Sequence, residues 1–273
     1  MVDLTALLAE LAAESEQLDA IVTALPPAEW GRPTPAPGWT VAHQIAHLAW
    51  TDHVAQLAAT DEAAFHASIT TAPDPARLVD DGAEAFLAPP AALLDRWRAG
   101  RASLAAALAA VPPGGKLPWY GTRMSPASMA TARIMETWAH GEDVADALGV
   151  RRPDTERLRH VAHLGVRTLG HSFAAHGRAV PTAPVRVDLT GPGGDTWSWG
   201  PADAADRVAG PARDFCLLVT QRRHRADLAL AATGPVADEW MDVAQAFAGP
   251  PGAGRPSRTG GPADAPDSSG VPA

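Results

Sequence analysis

A carboxylate and an imidazole lie four residues apart in the stretch from Arg133 to Gly149, R-I-M-E-T-W-A-H-G-E-D-V-A-D-A-L-G. In a helix this spacing places Glu136 and His140 one above the other on the same face, where both could bind one divalent ion. Two ligands make a weak site, and the best candidate for a third is His47, an inward-facing histidine in an apolar segment. Two imidazoles and one carboxylate would leave coordination positions for water or substrate, as in catalytic zinc and non-haem metal sites.

These residues also have simpler interpretations. A glutamate and a histidine at i and i+4 can be a solvated pair that stabilises its helix by a few tenths of a kcal/mol, although the apolar neighbours and His47 favour the metal site. His43, one turn before His47, is either a hydrogen-bonding surface histidine or a residue that supports a ligand. Trp138 is either a core residue or part of a pocket lining. We take His43 and Trp138 as candidate cofactor-binding residues.

Helical periodicity predicts the elements that carry the candidate ligands. The predicted helices cover about residues 4–25, 41–60, 91–111 and 125–148. Thr40 and Ser125 are suitable N-caps for the second and fourth of these helices, and Gly149 is suitable as a C-cap. Four helices joined by modest loops predict an up-and-down bundle, in which sites form between facing helices. The expected fold class is therefore mainly α, with the metal site inside the bundle.

The second half of the chain changes character. It reads as a helix over residues 155–176, strands at V-R-V-D-L and W-S-W, a buried helix over 214–222, a strand over 228–231 and a closing helix over 236–247. From residue 249 the chain is rich in Gly, Pro, Ser and Asp, which predicts a disordered tail. The expected domains are a bundle over residues 1–150, a connecting helix with a small α+β domain over 151–248, and a tail over 249–273.

Composition narrows the class of protein. The formal net charge of −9 and the pI of about 5.5 argue against a general nucleic-acid or anionic-membrane surface. A single cysteine, Cys216, excludes an internal disulfide and a Cys-rich metal site. The N-terminus lacks the basic region of a signal peptide, and no apolar run reaches the roughly 18 residues of a membrane span. We therefore expect a cytoplasmic protein that acts on a small molecule.

Three stretches resemble the DinB-like metal-binding superfamily, in particular its mycothiol-dependent maleylpyruvate isomerase branch. They are P-G-W-T-V-A-H-Q-I-A-H-L, R-I-M-E-T-W-A-H-G-E-D-V-A-D-A-L-G and R-V-A-G-P-A-R-D-F-C-L-L-V-T-Q-R. The resemblance implies a four-helix bundle with a small α+β domain, and metal ligands at His47, Glu136 and His140. Zinc is the favoured ion, with Ni²⁺ and Fe²⁺ as alternatives. The resemblance also implies a catalytic arginine at Arg222, by alignment of a short apolar run.

The resemblance further implies mycothiol as a thiol cofactor whose thiolate adds to an electrophilic substrate. The first hypothesis is thus a metal-dependent, thiol-using isomerase or S-transferase acting on an anionic or electrophilic small molecule, with a homodimer as a further expectation. A second hypothesis keeps the metal but uses Lewis-acid or water chemistry for hydrolysis, elimination or cyclisation. A third is a non-catalytic metal-binding protein. An open coordination position would separate the enzymes from the third hypothesis.

Overall fold

The computed structural model describes residues 3–71 and 74–258. By its contacts the chain divides into two compact units, the first ending at Leu164 and the second beginning at Gly165. The first unit is helical and the second combines helices with a small sheet. The predicted fold class, a bundle followed by a small α+β domain, is confirmed. The domain limits predicted at residues 150 and 248 stay predictions.

The first unit contains α1 (Leu4–Thr23), α2 (Val41–Thr60), α3 (Glu62–Thr70), α4 (Leu78–Phe86), α5 (Pro90–Ala110) and α6 (Pro126–Leu148). Single-turn 3₁₀ segments, Pro27–Gly31 and Pro75–Arg77, lie in the connections. The four long helices, α1, α2, α5 and α6, form the bundle: α2 packs against α5 and α6, and α1 packs against α6. They correspond to the four helices that periodicity predicted.

The ends of the two site-bearing helices follow from local chemistry. Thr40 and His43 form a capping box at the start of α2, in which His43 takes the place of the usual Glu or Gln. Ser125 accepts a hydrogen bond from the Ser128 amide at the start of α6 (3.1 Å), with proline at the first helical position. Gly149 ends α6 in the left-handed region, with φ of 67°. The residues that fix where these helices begin, and where α6 ends, are therefore not the metal ligands.

Helix α2 is largely enclosed by the rest of the bundle. Twelve of its twenty residues are buried, including Gln44, His47 and Asp52. Its apolar side chains pack into two core clusters. One cluster includes Trp30, Ile45 and Trp97, and the other includes Val54, Phe65 and Met129. Polar side chains on such a helix must find partners inside the protein, because water cannot satisfy them.

A short hairpin precedes α6 and was not predicted. Strand β1 (Leu117–Trp119) pairs antiparallel with β2 (Thr122–Met124) across a turn at Tyr120 and Gly121. Gly121 has φ of 82°, which a side chain would strain. Trp119 and Tyr120 pack against Phe65 of α3, so the hairpin closes one end of the core.

Between the bundle and the sheet, the helix predicted over residues 155–176 is two helices, α7 (Leu158–Arg167) and α8 (Leu169–Ala175). Thr168 separates them with φ of −94° and ψ of 9°. Its hydroxyl donates back to the Gly165 carbonyl (3.1 Å), the local competition by which threonine weakens a helix.

The sheet of the second unit is formed by β3 (Val185–Thr190), β4 (Thr196–Trp199), β5 (Asp206–Pro211) and β6 (Ala231–Thr233), in the order β4-β3-β5-β6. Strand β3 pairs antiparallel with β4 and parallel with β5, while β6 is antiparallel to β5. Along β3, buried and partly buried residues alternate, as V-R-V-D-L predicts.

Helices α9 (Ala212–Val219) and α10 (Pro235–Val243) complete this unit. The predicted boundaries of three elements moved: the buried helix covers 212–219 rather than 214–222, β6 covers 231–233 rather than 228–231, and α10 covers 235–243 rather than 236–247. The last change has a local cause, because Ala244 is extended, with ψ of 129°. The side chain of Asp206, in β5, caps the start of α10 by accepting hydrogen bonds from the Val236 and Ala237 amides (2.7 and 3.0 Å).

Part of the segment predicted as a tail is described. The Gln245 side chain donates to the Gly249 carbonyl (3.0 Å), and Ser257 and the Arg258 amide donate to Asp227. Residues 259–273 lie outside the described residues, and with them most of the predicted tail. Within the described ranges, no helix is both long enough and apolar enough to cross a bilayer.

Candidate metal centre

The three predicted ligands meet inside the bundle. His47 comes from α2, and Glu136 and His140 come from α6. One ligand atom from each residue lies within 4.8 Å of the others. Oε2 of Glu136 is 3.3 Å from Nε2 of His47 and 3.2 Å from Nε2 of His140. Both imidazoles therefore point the same ring nitrogen at one carboxylate oxygen, as three ligands of one ion do.

The cluster is largely removed from water. The side chains of His47, His140 and Glu136 are 7%, 11% and 23% exposed, so the carboxylate is the member that solvent reaches most. Burial by itself would raise the pKa of the Glu136 carboxyl. Hydrogen bonds from His140 and then His47, which the rings donate when Nε2 carries a proton, outweigh that effect and hold its pKa well below the usual range. The carboxyl is thus ionised, as a metal ligand must be.

The donor set fits a divalent cation better than it fits the three residues alone. A neutral imidazole has one N–H and one lone pair, and an ionised carboxylate only accepts. Nδ1 of His140 is used as a donor to Gln44 Oε1 (2.5 Å), which leaves a lone pair on Nε2 when the ring is neutral. That lone pair faces a carboxylate oxygen. A cation or an added proton between them removes the repulsion, and oxygen and imidazole ligands suit Zn²⁺, Ni²⁺ and Fe²⁺.

Gln44 is a site residue that sequence reasoning missed. It is fully buried one turn before His47 on α2, and its Nε2 donates to the Thr34 hydroxyl (2.8 Å). That hydroxyl in turn donates to the Trp39 carbonyl (2.9 Å). The sequence signal was weak: a glutamine on the buried side of a predicted helix, next to a candidate ligand.

Two tryptophans line the cluster. The ring of Trp39 lies 5.2 Å from that of His47 and 6.0 Å from that of His140, centroid to centroid, and is roughly parallel to the latter. The ring of Trp50 lies 5.9 Å from His47 on another side. Trp39 is held by a hydrogen bond from its indole nitrogen to Asp80 of α4 (3.0 Å). Indole rings beside the ligands lower the local polarity and strengthen electrostatic interactions there.

The two candidate cofactor-binding residues have other contacts. His43 uses Nδ1 in the capping box, 2.8 Å from the Thr40 hydroxyl, and its ring lies 6.4 Å from Trp39. Trp138 is buried, and helical geometry places it about 200° around α6 from Glu136. Its carbonyl accepts a hydrogen bond from Arg152 (3.0 Å). Cofactor binding by either residue stays a prediction.

A buried ion pair lies one turn from the ligands. Arg133 of α6 donates from Nε to Asp52 of α2 (2.9 Å), and both are almost fully buried. Burial raises the pKa of the Asp52 carboxyl, and the Arg133 guanidinium opposes that rise. The hydrogen bonds between α2 and α6 therefore hold the two ligand-bearing helices in register.

Burial also raises the pKa of Tyr120, in the hairpin, to about 12.

Arg222, the candidate catalytic arginine, belongs to the second unit. It follows α9 in a Schellman motif, with its amide bonded to the Leu217 carbonyl (2.8 Å) and the Gln221 amide to Leu218 (2.8 Å). Gln221 adopts φ of 57°, a conformation that usually favours glycine. The half-buried Arg222 side chain donates from Nη1 to the Thr220 carbonyl (2.7 Å). Its catalytic role stays a prediction.

Comparison with known families and proteins gives the following matches. The model of the mycothiol maleylpyruvate isomerase N-terminal domain matches residues 11–145, which include all three ligands. A second model, described as wyosine base formation, matches residues 181–233. A protein named as uncharacterised, found in two strains of Mycobacterium tuberculosis, is 58% identical over 257 residues, or 93% of this chain and 100% of the relative.

Solved structures agree with the family model on the fold. The crystal structure of the mycothiol-dependent maleylpyruvate isomerase has a TM-score of 0.56 at 16% identity, covering 85% of this chain and 93% of the isomerase. A histidine-to-alanine variant of that isomerase has a TM-score of 0.58 at 16% identity, covering 84% and 93%. At this identity the likeness establishes architecture, and the family model over the bundle adds the lineage. The match over residues 11–145 therefore places the bundle in the family of the mycothiol maleylpyruvate isomerase N-terminal domain, and the chain has the DinB-like fold of the solved isomerase.

Proposed function

We propose that this protein is a divalent-metal-dependent enzyme that uses mycothiol to isomerise a small electrophile or to transfer sulfur to it. The observation that carries the proposal is the convergence of two imidazole nitrogens on one carboxylate oxygen, at 3.3 and 3.2 Å. Mycothiol and isomerisation are part of the proposal because both appear in the names of the matching family model and solved structures.

His47, Glu136 and His140 would hold the ion, with zinc favoured. A bound ion of this kind lowers the pKa of a coordinated water to about 7 or deprotonates a coordinated thiol. The protein residues keep the imidazoles oriented, supply one negative charge and exclude bulk water with Trp39 and Trp50. Three protein ligands match the number found in catalytic sites, where the remaining position accepts water or substrate.

The sulfur nucleophile must come from outside the chain. The one cysteine, Cys216, is buried within α9 of the second unit, and buried thiols in apolar surroundings are poor nucleophiles. When bound, mycothiol would supply a thiolate for reversible addition to a cis enone, which allows rotation about the former C=C bond; elimination then gives the trans form and returns the thiol, so no oxidant or reductant is needed.

Arg222 is proposed to bind the carboxylate of the substrate or of the thiol cofactor. A guanidinium presents a planar, permanently charged fork that matches a carboxylate. Loss of this group should reduce turnover and leave the metal content unchanged. Such a result would separate Arg222 from the three ligands by function.

The direct test combines metal analysis with thermal shift. The purified protein should contain about one zinc per chain, and Glu136→Gln should contain almost none. Mycothiol at about 100 times its Kd should stabilise the zinc protein by about 2.7 kcal/mol, a rise in Tm of about 5–10 °C for a protein of this size. Turnover that persists after all small thiols are removed would replace the thiol step by Lewis-acid or water chemistry. Metal content with no turnover in any assay would favour a non-catalytic metal-binding protein.

A further inference from the structure

We propose that Gln44 is a positioning residue that keeps the proton of His140 on Nδ1, so that Nε2 of the neutral ring presents its lone pair to the metal position. The inference rests on the metal site of the proposed function. It concerns a side chain of α2 that is not one of the three proposed ligands. Its basis is a chain of hydrogen bonds whose direction can be read at every link.

The direction starts at a group that can only accept. The Trp39 carbonyl oxygen receives the Thr34 hydroxyl proton (2.9 Å) and the Thr34 amide (2.8 Å). Because the hydroxyl proton is used there, the Thr34 oxygen must accept from its other neighbour, which is the Gln44 amide (2.8 Å). Only the NH₂ group of an amide can donate, so Nε2 of Gln44 faces Thr34. The chemistry thus determines the amide orientation that diffraction alone often leaves ambiguous.

The other end of the amide then determines the histidine. With Nε2 turned to Thr34, Oε1 of Gln44 faces Nδ1 of His140 at 2.5 Å. An amide oxygen only accepts, so Nδ1 carries a proton, and a neutral ring has its lone pair on Nε2. Gln44 is fully buried and cannot exchange this role with water. Metal-binding histidines elsewhere are oriented in the same way through their second nitrogen.

The loop that holds this chain is well suited to a fixed role. Thr34 lies in P-T-P-A-P-G-W, and three prolines restrict its backbone. Pro33 and Thr40 form a bridge that closes the loop at the start of α2. Gly38 turns the chain with φ of 78°. The loop therefore carries the orientation from the backbone of Trp39 to a side chain of α6.

His47 provides an internal contrast. Its Nδ1 is buried and has no hydrogen-bond partner among the residues that the structure describes. No group among the described residues therefore holds a proton on Nδ1 of His47 in the way that Gln44 does for His140. The support is specific to one ligand, which makes it testable by substitution at one position.

The test measures zinc affinity by chelator competition and the protonated nitrogen of His140 by ¹H–¹⁵N NMR, with signals assigned from His140→Ala. Gln44→Leu removes the acceptor and should weaken zinc binding about 10–100-fold, the usual effect of losing such a partner. Gln44→Glu restores an acceptor and should return the affinity to within about threefold of the unchanged protein. Thr34→Val frees the amide to rotate and should have a smaller effect. Gln56→Leu, the same change at a half-buried position of α2, is the matched control.

The results separate this inference from the proposed function. Zinc binding by the unchanged protein, with equal affinity in Gln44→Leu, would overturn the role of Gln44 and leave the metal site standing. A proton on Nε2 of His140 in the unchanged protein would overturn it as well. Absence of zinc binding in the unchanged protein would refute the metal site, and the NMR measurement on that protein would still decide the tautomer. Should Gln44→Leu fail to fold, Thr34→Val and the NMR measurement decide.

Discussion

Helix α6 contributes to two buried polar clusters that differ in what they leave uncompensated. The first is the metal-ligand cluster of His47, Glu136 and His140. The second, which we call the Arg152 cluster, consists of Glu14, Gln17, Glu142, Arg152 and Arg157 with the carbonyl of Trp138. Both lie in the first unit, and both place ionised groups where water has little access.

The Arg152 cluster balances its own charges. Arg152 donates to Glu14, to Gln17 (2.7 Å) and to the Trp138 carbonyl (3.0 Å), and Glu142 lies 3.5 Å away. Arg157 donates to the other oxygen of Glu14 (2.7 Å). Two carboxylates therefore meet two guanidinium groups, and of the Arg152 nitrogens only Nε lacks a partner among the described residues. Buried groups of this kind are stable as a set and costly to break singly.

The metal-ligand cluster has no such balance. One carboxylate oxygen faces two ring nitrogens, and the tautomer imposed on His140 points a lone pair at it. What the two clusters teach is a criterion for helical bundles. A buried polar group whose donors and acceptors match is structural, whereas one that needs a cation to match them is a binding site. The predictions below test that criterion.

The largest expected effect is on metal binding. His140→Ala removes one of the three ligands. It should weaken zinc binding by more than about 100-fold, the upper end of the loss seen when a residue that only hydrogen-bonds to a ligand is replaced. The metal-free form should lose less Tm than Arg152→Met does, because the charges of the metal-ligand cluster are not balanced within the protein. Metal analysis by mass spectrometry and a thermal melt with chelator present measure the two quantities. Full zinc content in His140→Ala would contradict the assignment.

The next effect is on stability. Arg152→Met removes the guanidinium that Glu14 and Glu142 share, leaves Glu14 with Arg157 alone, and should lower the free energy of unfolding by about 3–5 kcal/mol. Zinc affinity of the folded protein should stay unchanged. Urea denaturation of metal-free samples gives the first value, and chelator competition gives the second. Arg151→Met, at an exposed neighbouring position, is the control. A stable Arg152→Met protein that had lost zinc would reverse the roles of the clusters.

The metal-ligand cluster was predictable because its signal is local. Glu136 and His140 lie one helical turn apart, so spacing alone places them on one face of α6, whereas His47 was identified from its apolar helix and from the family resemblance. Gln44 could not be identified in this way. Its role depends on Thr34, ten residues earlier, and on His140, 96 residues later, and no single-helix pattern contains those partners.

The fold shows the same division between local and distant causes. The bundle helices were predicted because long amphipathic periods and caps are visible in one segment. The helix over 155–176 was wrong in its continuity, because the break depends on one side-chain bond of Thr168. The β1–β2 hairpin was missed because L-P-W-Y-G-T lacks the alternation that marks a strand. The place of Arg222 relative to the ligands depends on long-range packing and stays a prediction.

A smaller effect is expected at Gly141, the position on α6 where the Arg152 cluster touches the helix backbone. A Cβ added there would lie 2.5 Å from Nη1 and 2.9 Å from Cζ of Arg152. Because the guanidinium is fixed by Glu14 and Gln17, it cannot move aside without breaking a bond. Gly141→Ala should therefore lower the free energy of unfolding by about 1–3 kcal/mol, despite the better helix propensity of alanine. Gly100→Ala on α5, where nothing lies within 4 Å, should be stabilising.

The smallest effect concerns pH and again separates the two clusters. In the folded, metal-free protein the pKa of Glu136 is held well below its usual value, against the effect of burial, by hydrogen bonds that His140 and His47 donate when Nε2 carries a proton. A depressed folded pKa means that the ionised carboxylate stabilises the fold at pH above the unfolded value, about 4.3. This contribution is lost as the pH falls from there through the folded pKa, at up to about 1.4 kcal/mol per pH unit for one group.

In Glu136→Gln the metal-free protein should lose less stability over that range, as measured by urea denaturation between about pH 6 and pH 3. Zinc binding should fall at higher pH than this, because both imidazoles must be neutral to coordinate. An identical acid profile for the unchanged protein and Glu136→Gln would show that the ionised carboxylate gains nothing from its two histidines. That result would remove the electrostatic basis for treating the three residues as one site.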